Sequence, residues 1–286
     1  FDGLLHLLAR LPKSIDLLAD QVRWEATVLS DLGYGLDVAT CAVTVGGDLA
    51  KIKRLPDLAG SKNEIIMQKA HTGAGNPYDH NWRMINTKII PAETAAEIRA
   101  AINPRTAALG MILSHNSEGH KLELEEMIAL AHAANLPLIL DAAAEIPPAS
   151  NLKKFIAMGA DLVAFSGGKN LRGPQCSGLL LGRKNLIEAA YANSSPNNHF
   201  ARIAKVGKEE IVGLLTAVER ALARDEAADR RRNAAVNHGD GIQPHLAELA
   251  ASLAAGDPEP CPRNLEHPAR GPVLRVLQGG GLLLRD

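Results

Sequence analysis

An α/β fold, built on a mostly parallel sheet with helices on both faces, is what this sequence predicts on three observations. Short apolar runs alternate with amphipathic helical stretches from residue 64 onward, the pattern of successive βα units. Ala107–Leu113, Leu136–Leu140 and Leu162–Phe165 are apolar throughout, as strands covered on both faces are. Two of these runs stop at a polar residue, Asp141 and Ser166, and open α/β sheets bind ligands at the carboxyl ends of their strands.

Taken in order, residues 1–37 form an N-terminal segment of unclear character, with an amphipathic stretch from Leu4 to Leu18 broken by Pro12. Glu64–Gln68 reads as a strand. Thr94–Ile102 reads as a short helix closed by Asn103-Pro104, since the residue before proline disfavours helix. Ala107–Leu113 is a buried strand. Leu124, Met127, Ile128 and Ala131 fall at helical spacing, with Glu123, Glu125 and Glu126 where the helix dipole favours acids and Asn135 and Pro137 as the stop. Strand 136–140 follows. A helix from Leu152 to Met158 takes Asn151 as its N-cap and Gly159 just past its end. The strand 162–165 leads into a lysine-bearing turn, and Gly178–Gly182 is one more strand. A helix from Lys208 to about Arg224 buries Ile211, Leu214, Leu215, Val218 and Leu222. Beyond residue 235 the sequence turns Gly/Pro-rich and loses its period, so a C-terminal small domain is reduced or atypical. The expected domains are therefore 1–37, 38–206 as the large domain, and 207–286 as linking helix and poorly defined tail.

Composition narrows the function. With 31 basic and 32 acidic residues and a net charge of −1, no nucleic-acid surface is expected, since such surfaces are basic on one face. Three cysteines without paired spacing, Cys41, Cys176 and Cys261, argue against a disulfide framework or a zinc site and for a reducing, cytoplasmic setting. No apolar run has the length of a membrane span. The chain starts at Phe1 and not at Met, as expected of a fragment or a processed product.

The chemistry concentrates in Ser166-Gly-Gly-Lys169. A lysine amine at the end of a buried strand is costly to desolvate. The placement makes sense when the amine is bonded to a cofactor as an imine. Gly167 and Gly168 then remove side chains where something approaches the backbone. A nucleotide P-loop does not fit, because Val163 and Asn170 stand where that motif needs Gly and Ser/Thr. Pyridoxal phosphate (PLP) needs a lysine for its aldehyde and a carboxylate for its ring nitrogen. Asp141, at the end of the preceding strand, supplies the second, although a helix N-cap is its rival reading.

Residues 38 to about 225 resemble the PLP-dependent enzymes related to bacterial selenocysteine synthase (L-seryl-tRNA(Sec) selenium transferase), nearest the branch with D-glucosaminate-6-phosphate ammonia-lyase. The motifs are Gly46-Gly-Asp48, Ile65–His71 with Tyr78-Asp79-His80, Asp141–Pro148, Phe165–Lys169, Arg172–Gln175 and Lys205–Ile211. The resemblance implies a fold-type-I large domain and a homodimer or larger assembly acting on a small amino substrate. It implies Lys169 as the Schiff-base lysine, Asp141 on the ring nitrogen and Ser166 on the phosphate. Ala143 would pack on one ring face and His71 stack on the other, and Arg172 would meet phosphate or a substrate carboxylate. The reaction implied is α,β-elimination or deamination of a small amino acid or amino sugar acid. The alternatives are selenium transfer on seryl-tRNA and a non-catalytic or truncated homologue.

Relatives carry a small-residue phosphate loop near the N-terminus, and here Gly33-Tyr34-Gly35 and Thr40 stand in its place. Weak PLP binding is the expectation. His115 and His120 flank Glu118 in a loop that reads as exposed or substrate-facing before it reads as a metal site. Cys176 reads as packing rather than as a nucleophile.

Overall fold

The structure is a computed structural model that describes residues 24–29, 32–73, 77–113 and 119–228. The chain divides into two compact units, Phe1–Glu226 and Ala227–Asp286. The amphipathic stretch Leu4–Leu18, His115 and the tail beyond residue 235 lie outside the described residues.

A seven-stranded sheet organises the first unit. Its strands are β1 (Trp24–Leu29), β2 (Glu64–Gln68), β3 (Lys88–Ala92), β4 (Thr106–Ile112), β5 (Leu138–Asp141), β6 (Leu162–Ser166) and β7 (Gly178–Arg183). Their spatial order is β1-β7-β6-β5-β4-β2-β3. Strands β2 to β6 pair in parallel, and β7 runs antiparallel to both β6 and β1. Leu29 and Ser166 both pair with Gly178, so β1 ends at the same edge of the sheet as the lysine strand.

The expected strands at 64–68, 107–113, 136–140, 162–165 and 178–182 are all present within two residues of those bounds. They form because each is a buried, β-branched or Leu-rich run that hydrophobic burial stabilises at roughly 25 cal/mol per Å². Every residue of β2, β4, β5 and β6 is buried.

Helices cover both faces. On one face lie α3 (Ala95–Ala101), α4 (Leu124–Ala133), α5 (Asn151–Ala157) and α7 (Lys208–Leu222), whose apolar sides share a core with Leu109, Leu138, Val163 and Phe165. On the other lie α1 (Leu32–Thr44) and α6 (Lys184–Asn193), packed with Ile112, Ile139, Ala164 and Leu180. A one-turn helix α2 (Leu49–Ile52) is capped by the Asp48 carboxylate. In α3 the Thr94 hydroxyl accepts from the Glu97 N–H at 3.2 Å. Helix α4 closes with Asn135 at φ 52°, where asparagine tolerates the left-handed region.

Two local expectations change. Asn151 is not an N-cap: it is the buried first residue of α5, and its Nδ2 donates to the Glu145 carbonyl at 2.6 Å. Cys176 is exposed rather than packed, with Sγ 3.8 Å from Glu210 Oε1.

Candidate active site

The carboxyl edge of the parallel strands gathers the residues singled out from sequence. Successive residues of a strand alternate faces, and Asp141 pairs with Ala164. Asp141, Ala164 and Ser166 therefore share one face, the one on which α1 lies. Ala164 packs there with Leu36 and Ala39 of α1. Helix α1 starts at Leu32, three residues beyond the described end of β1. The start of this 13-residue helix, with its positive dipole end, therefore follows closely on the strand that ends at the same edge as β6.

Asp141 is buried, at 2 % exposure. Its Oδ1 accepts from the Ala143 N–H at 3.0 Å. Residues 142–150 are turns and irregular backbone, so Asp141 caps no helix and that rival reading falls. Burial pushes its carboxyl up to about 6, against the opposing pull of the Ala143 N–H and the Lys169 ammonium. A carboxylate kept from water with one backbone bond and a nearby amine is poised to hold a proton on a partner atom. Ala143 is half-buried beside it.

Lys169 is exposed in the turn that follows β6. The expected reason for Gly167 and Gly168 changes in one respect: what comes close to them is the protein itself. A Cβ on Gly167 would lie 2.7 Å from Leu214 Cδ1, and one on Gly168 would lie 2.6 Å from Gln175 Cα. The Gly167 N–H donates to the Ser177 carbonyl and the Gly173 N–H to the Gly167 carbonyl, both at 2.8 Å. Gly213 of α7 admits Pro174, whose Cγ would be 2.6 Å from an added Cβ. The lysine turn is folded on itself and seated on α7. Arg172 is exposed within it at φ 62°, its N–H donating to the Lys169 carbonyl at 2.8 Å. A left-handed arginine is an uncommon conformation held by its surroundings.

His71 follows β2 and is fully buried. Its Nδ1 faces the Ile112 N–H at 3.4 Å, and Ile112 is the sheet partner of Asp141. Nδ1 is thus the acceptor, and Nε2 carries the proton with no partner among the described residues. Burial first, and His120 second, push its pKa down to about 4, so the ring is neutral at ordinary pH. Sequence reasoning missed Asp37 on α1, which is buried with neither oxygen partnered among the described residues and its pKa pushed by burial up to about 8.

These residues fit PLP. The edge presents an exposed amine, a buried carboxylate, a hydroxyl, a helix start and a buried imidazole N–H without a partner among the described residues, which are the kinds of group that cofactor needs.

Residues 85–203 match the aminotransferase class-V family. The chain is 34% identical over 202 residues to D-glucosaminate-6-phosphate ammonia lyase of Salmonella typhimurium, covering 68% of this chain and 53% of that protein. It is 34% identical to a 5'-C-glycyluridine monooxygenase-decarboxylase of a Streptomyces species, over 68% of this chain and 49% of the relative. It is 29% identical to L-seryl-tRNA(Sec) selenium transferase of Aquifex aeolicus, over 65% and 39%. A solved structure of D-glucosaminate-6-phosphate ammonia-lyase superposes with TM-score 0.68 at 30% identity, over 85% of this chain and 63% of the other. The chain spans about half the length of the first two relatives.

Proposed function

We propose, on the match of residues 85–203 to the aminotransferase class-V family, that this chain is a PLP-dependent lyase. Its reaction is α,β-elimination or deamination of a small amino acid or amino sugar acid. The observation that carries the proposal is the pair at the ends of adjacent strands: buried Asp141 on β5, electrostatically coupled to exposed Lys169 after β6. Similarity to a named ammonia lyase at 34% over 202 residues, against 29% and 31% over 206 and 212 residues for two selenium transferases, with a net charge of −1, favours the lyase over chemistry on an RNA.

In this reading PLP supplies an electron sink for negative charge at the substrate α-carbon. Lys169 would hold the cofactor and, as a free amine, would serve as the base for the substrate α-proton. Asp141 holds a proton on the ring nitrogen, and its burial strengthens that interaction by excluding water. Ser166 and the N–H groups at the start of α1 bind the phosphate. Ala143 would leave room for one ring face; the stacking expected of His71 would have to pass through its neighbour His120, because His71 is fully buried and the His120 ring lies 5.8 Å from it. Arg172 meets the phosphate or a substrate carboxylate. The working enzyme is a cytoplasmic homodimer or larger assembly. Among the described residues no helix is long and apolar enough to cross a membrane.

Titration of the purified chain with PLP tests the reading. The expected result is a visible band at roughly 410–430 nm, a property of lysine-bound cofactor, and borohydride reduction with peptide mapping that places the cofactor on Lys169. No band, or a label on another lysine, overturns it.

A further inference from the structure

Gln68, buried at the end of β2, uses its whole side chain on one segment. Its Oε1 accepts from the Lys121 and Leu122 N–H groups, and its Nε2 donates to the Leu122 carbonyl, all at 2.8 Å. Three bonds from one buried amide fix the backbone of residues 121–122 to the carboxyl edge of the sheet. His120, the residue before them, is held with its ring centroid 5.8 Å from that of His71, tilted by 46°. The two rings differ in access: His71 has none, whereas the His120 side chain keeps 27%. His71 is backed by the Ile112 N–H and is neutral. The outer imidazole, with Glu123 Oε1 at 3.7 Å, is the accessible one of the pair. Among the described residues, Lys69 and Lys121 on this side both pair with Glu93.

We propose that His120 is the acid that protonates the leaving group, with neutral His71 as its positioning residue. This rests on the lyase reading. When the leaving group is a hydroxyl, removal of the α-proton by the Lys169 amine is only half of the step. The C–H electron pair becomes the Cα–Cβ double bond, and the Cβ–O bond breaks with its pair on oxygen. That oxygen takes a proton from the His120 ring and leaves as water, and neutral His120 regains a proton from solvent.

Leaving groups of different basicity test this on the PLP-saturated chain. A His120→Gln variant should lose ~100-fold in turnover of racemic serine, the lower range for general acid catalysis. It should stay within about threefold of the parent on β-chloroalanine, because chloride leaves without a proton. Equal losses on both compounds, or a loss on neither, would overturn the assignment while leaving the lyase reading intact. A second readout needs no turnover. α-Methylserine lacks the α-proton and cannot be eliminated, yet its addition should move the His120 ring signals in the NMR spectrum of the histidine-labelled chain. Unmoved His120 signals with bound α-methylserine would also overturn the proposal. A parent that turns over neither compound fails the lyase reading, and the NMR result then decides the placement of His120 by itself.

Discussion

At the amino edge of the sheet, Glu64 and Asp161 are buried carboxylates surrounded by donors. Glu64 takes Asn103 Nδ2 at 2.7 Å and Arg105 Nε at 2.6 Å. Asp161 takes Arg183 and His132 at 2.9 Å each and the Leu138 N–H at 2.8 Å. At the carboxyl edge Asp141 is as deeply buried, with a single backbone N–H bonded among the described residues and a lysine near enough to feel. The Asn103 bond, with Arg105, holds Glu64 below the usual carboxylate range, whereas burial lifts Asp141 to about 6. The same residue type stabilises the fold at one edge and is held at a cost at the other, which is how a site for a ligand differs from a structural ion pair.

Variants can break this contrast, and the largest effect belongs to Lys169→Ala. Elimination turnover should fall by ~10³-fold or more, since both anchor and base are removed, while thermal unfolding stays near that of the parent because the side chain is exposed. Asp141→Asn comes next, with turnover reduced ~100-fold. Its stability should move the other way. A carboxyl raised from 3.8 to about 6 binds more protons folded than unfolded, so its contribution weakens as pH climbs from about 4 to 6. The shift corresponds to on the order of 3 kcal/mol as an upper bound. The variant should therefore unfold at higher temperature than the parent at pH 8, and the gap should close at pH 4. An unchanged melting temperature at both pH values would show that burial of Asp141 is not strained.

Asp161→Asn should do the reverse, with turnover kept and stability lowered by about 2 kcal/mol in chemical denaturation. That is less than the usual loss for a broken buried pair because Arg183 and His132 reach water. Glu64→Gln should cost about 1 kcal/mol at neutral pH. Because the Glu64 carboxyl is lowered, its stabilisation is present above its ordinary range and is lost as pH falls. The difference between parent and variant should shrink in acid, and a constant difference would mean that the Arg105 pair contributes nothing.

The sheet's centre was legible because β2, β4, β5 and β6 are buried on both faces and read as continuous apolar runs, and α4 and α7 because their apolar residues keep helical spacing. Strand β3, Lys-Ile-Ile-Pro-Ala, was not, since a proline is tolerated there only at the sheet's edge. Helix α1 was hidden by Gly33, Gly35 and Asp37, poor helix formers that packing on β4, β6 and β7 overrides. The reversal of β7 left no mark in its composition. Asp141 and Lys169 announced themselves as polar ends of apolar runs, and the structure brings them to one edge. His120 was legible only as part of an exposed or substrate-facing loop, because it depends on Gln68, 52 positions away, for its placement. A buried glutamine ending an apolar strand was the available signal.

The glycines around the lysine have a bearing on which substitutions the chain tolerates. Gly167, Gly168 and Gly213 contact the protein's own Leu214, Gln175 and Pro174, so none is required by the chemistry itself. Yet each sets where the Lys169 backbone rests on α7. In a saturation scan scored for turnover, these three positions should be as intolerant as Lys169. Scored for abundance they should separate from it, because an alanine there displaces packed atoms and a Lys169 change does not. Glycines that look like ligand contacts in a sequence would then be identified as the seat of the lysine by comparing the two scores.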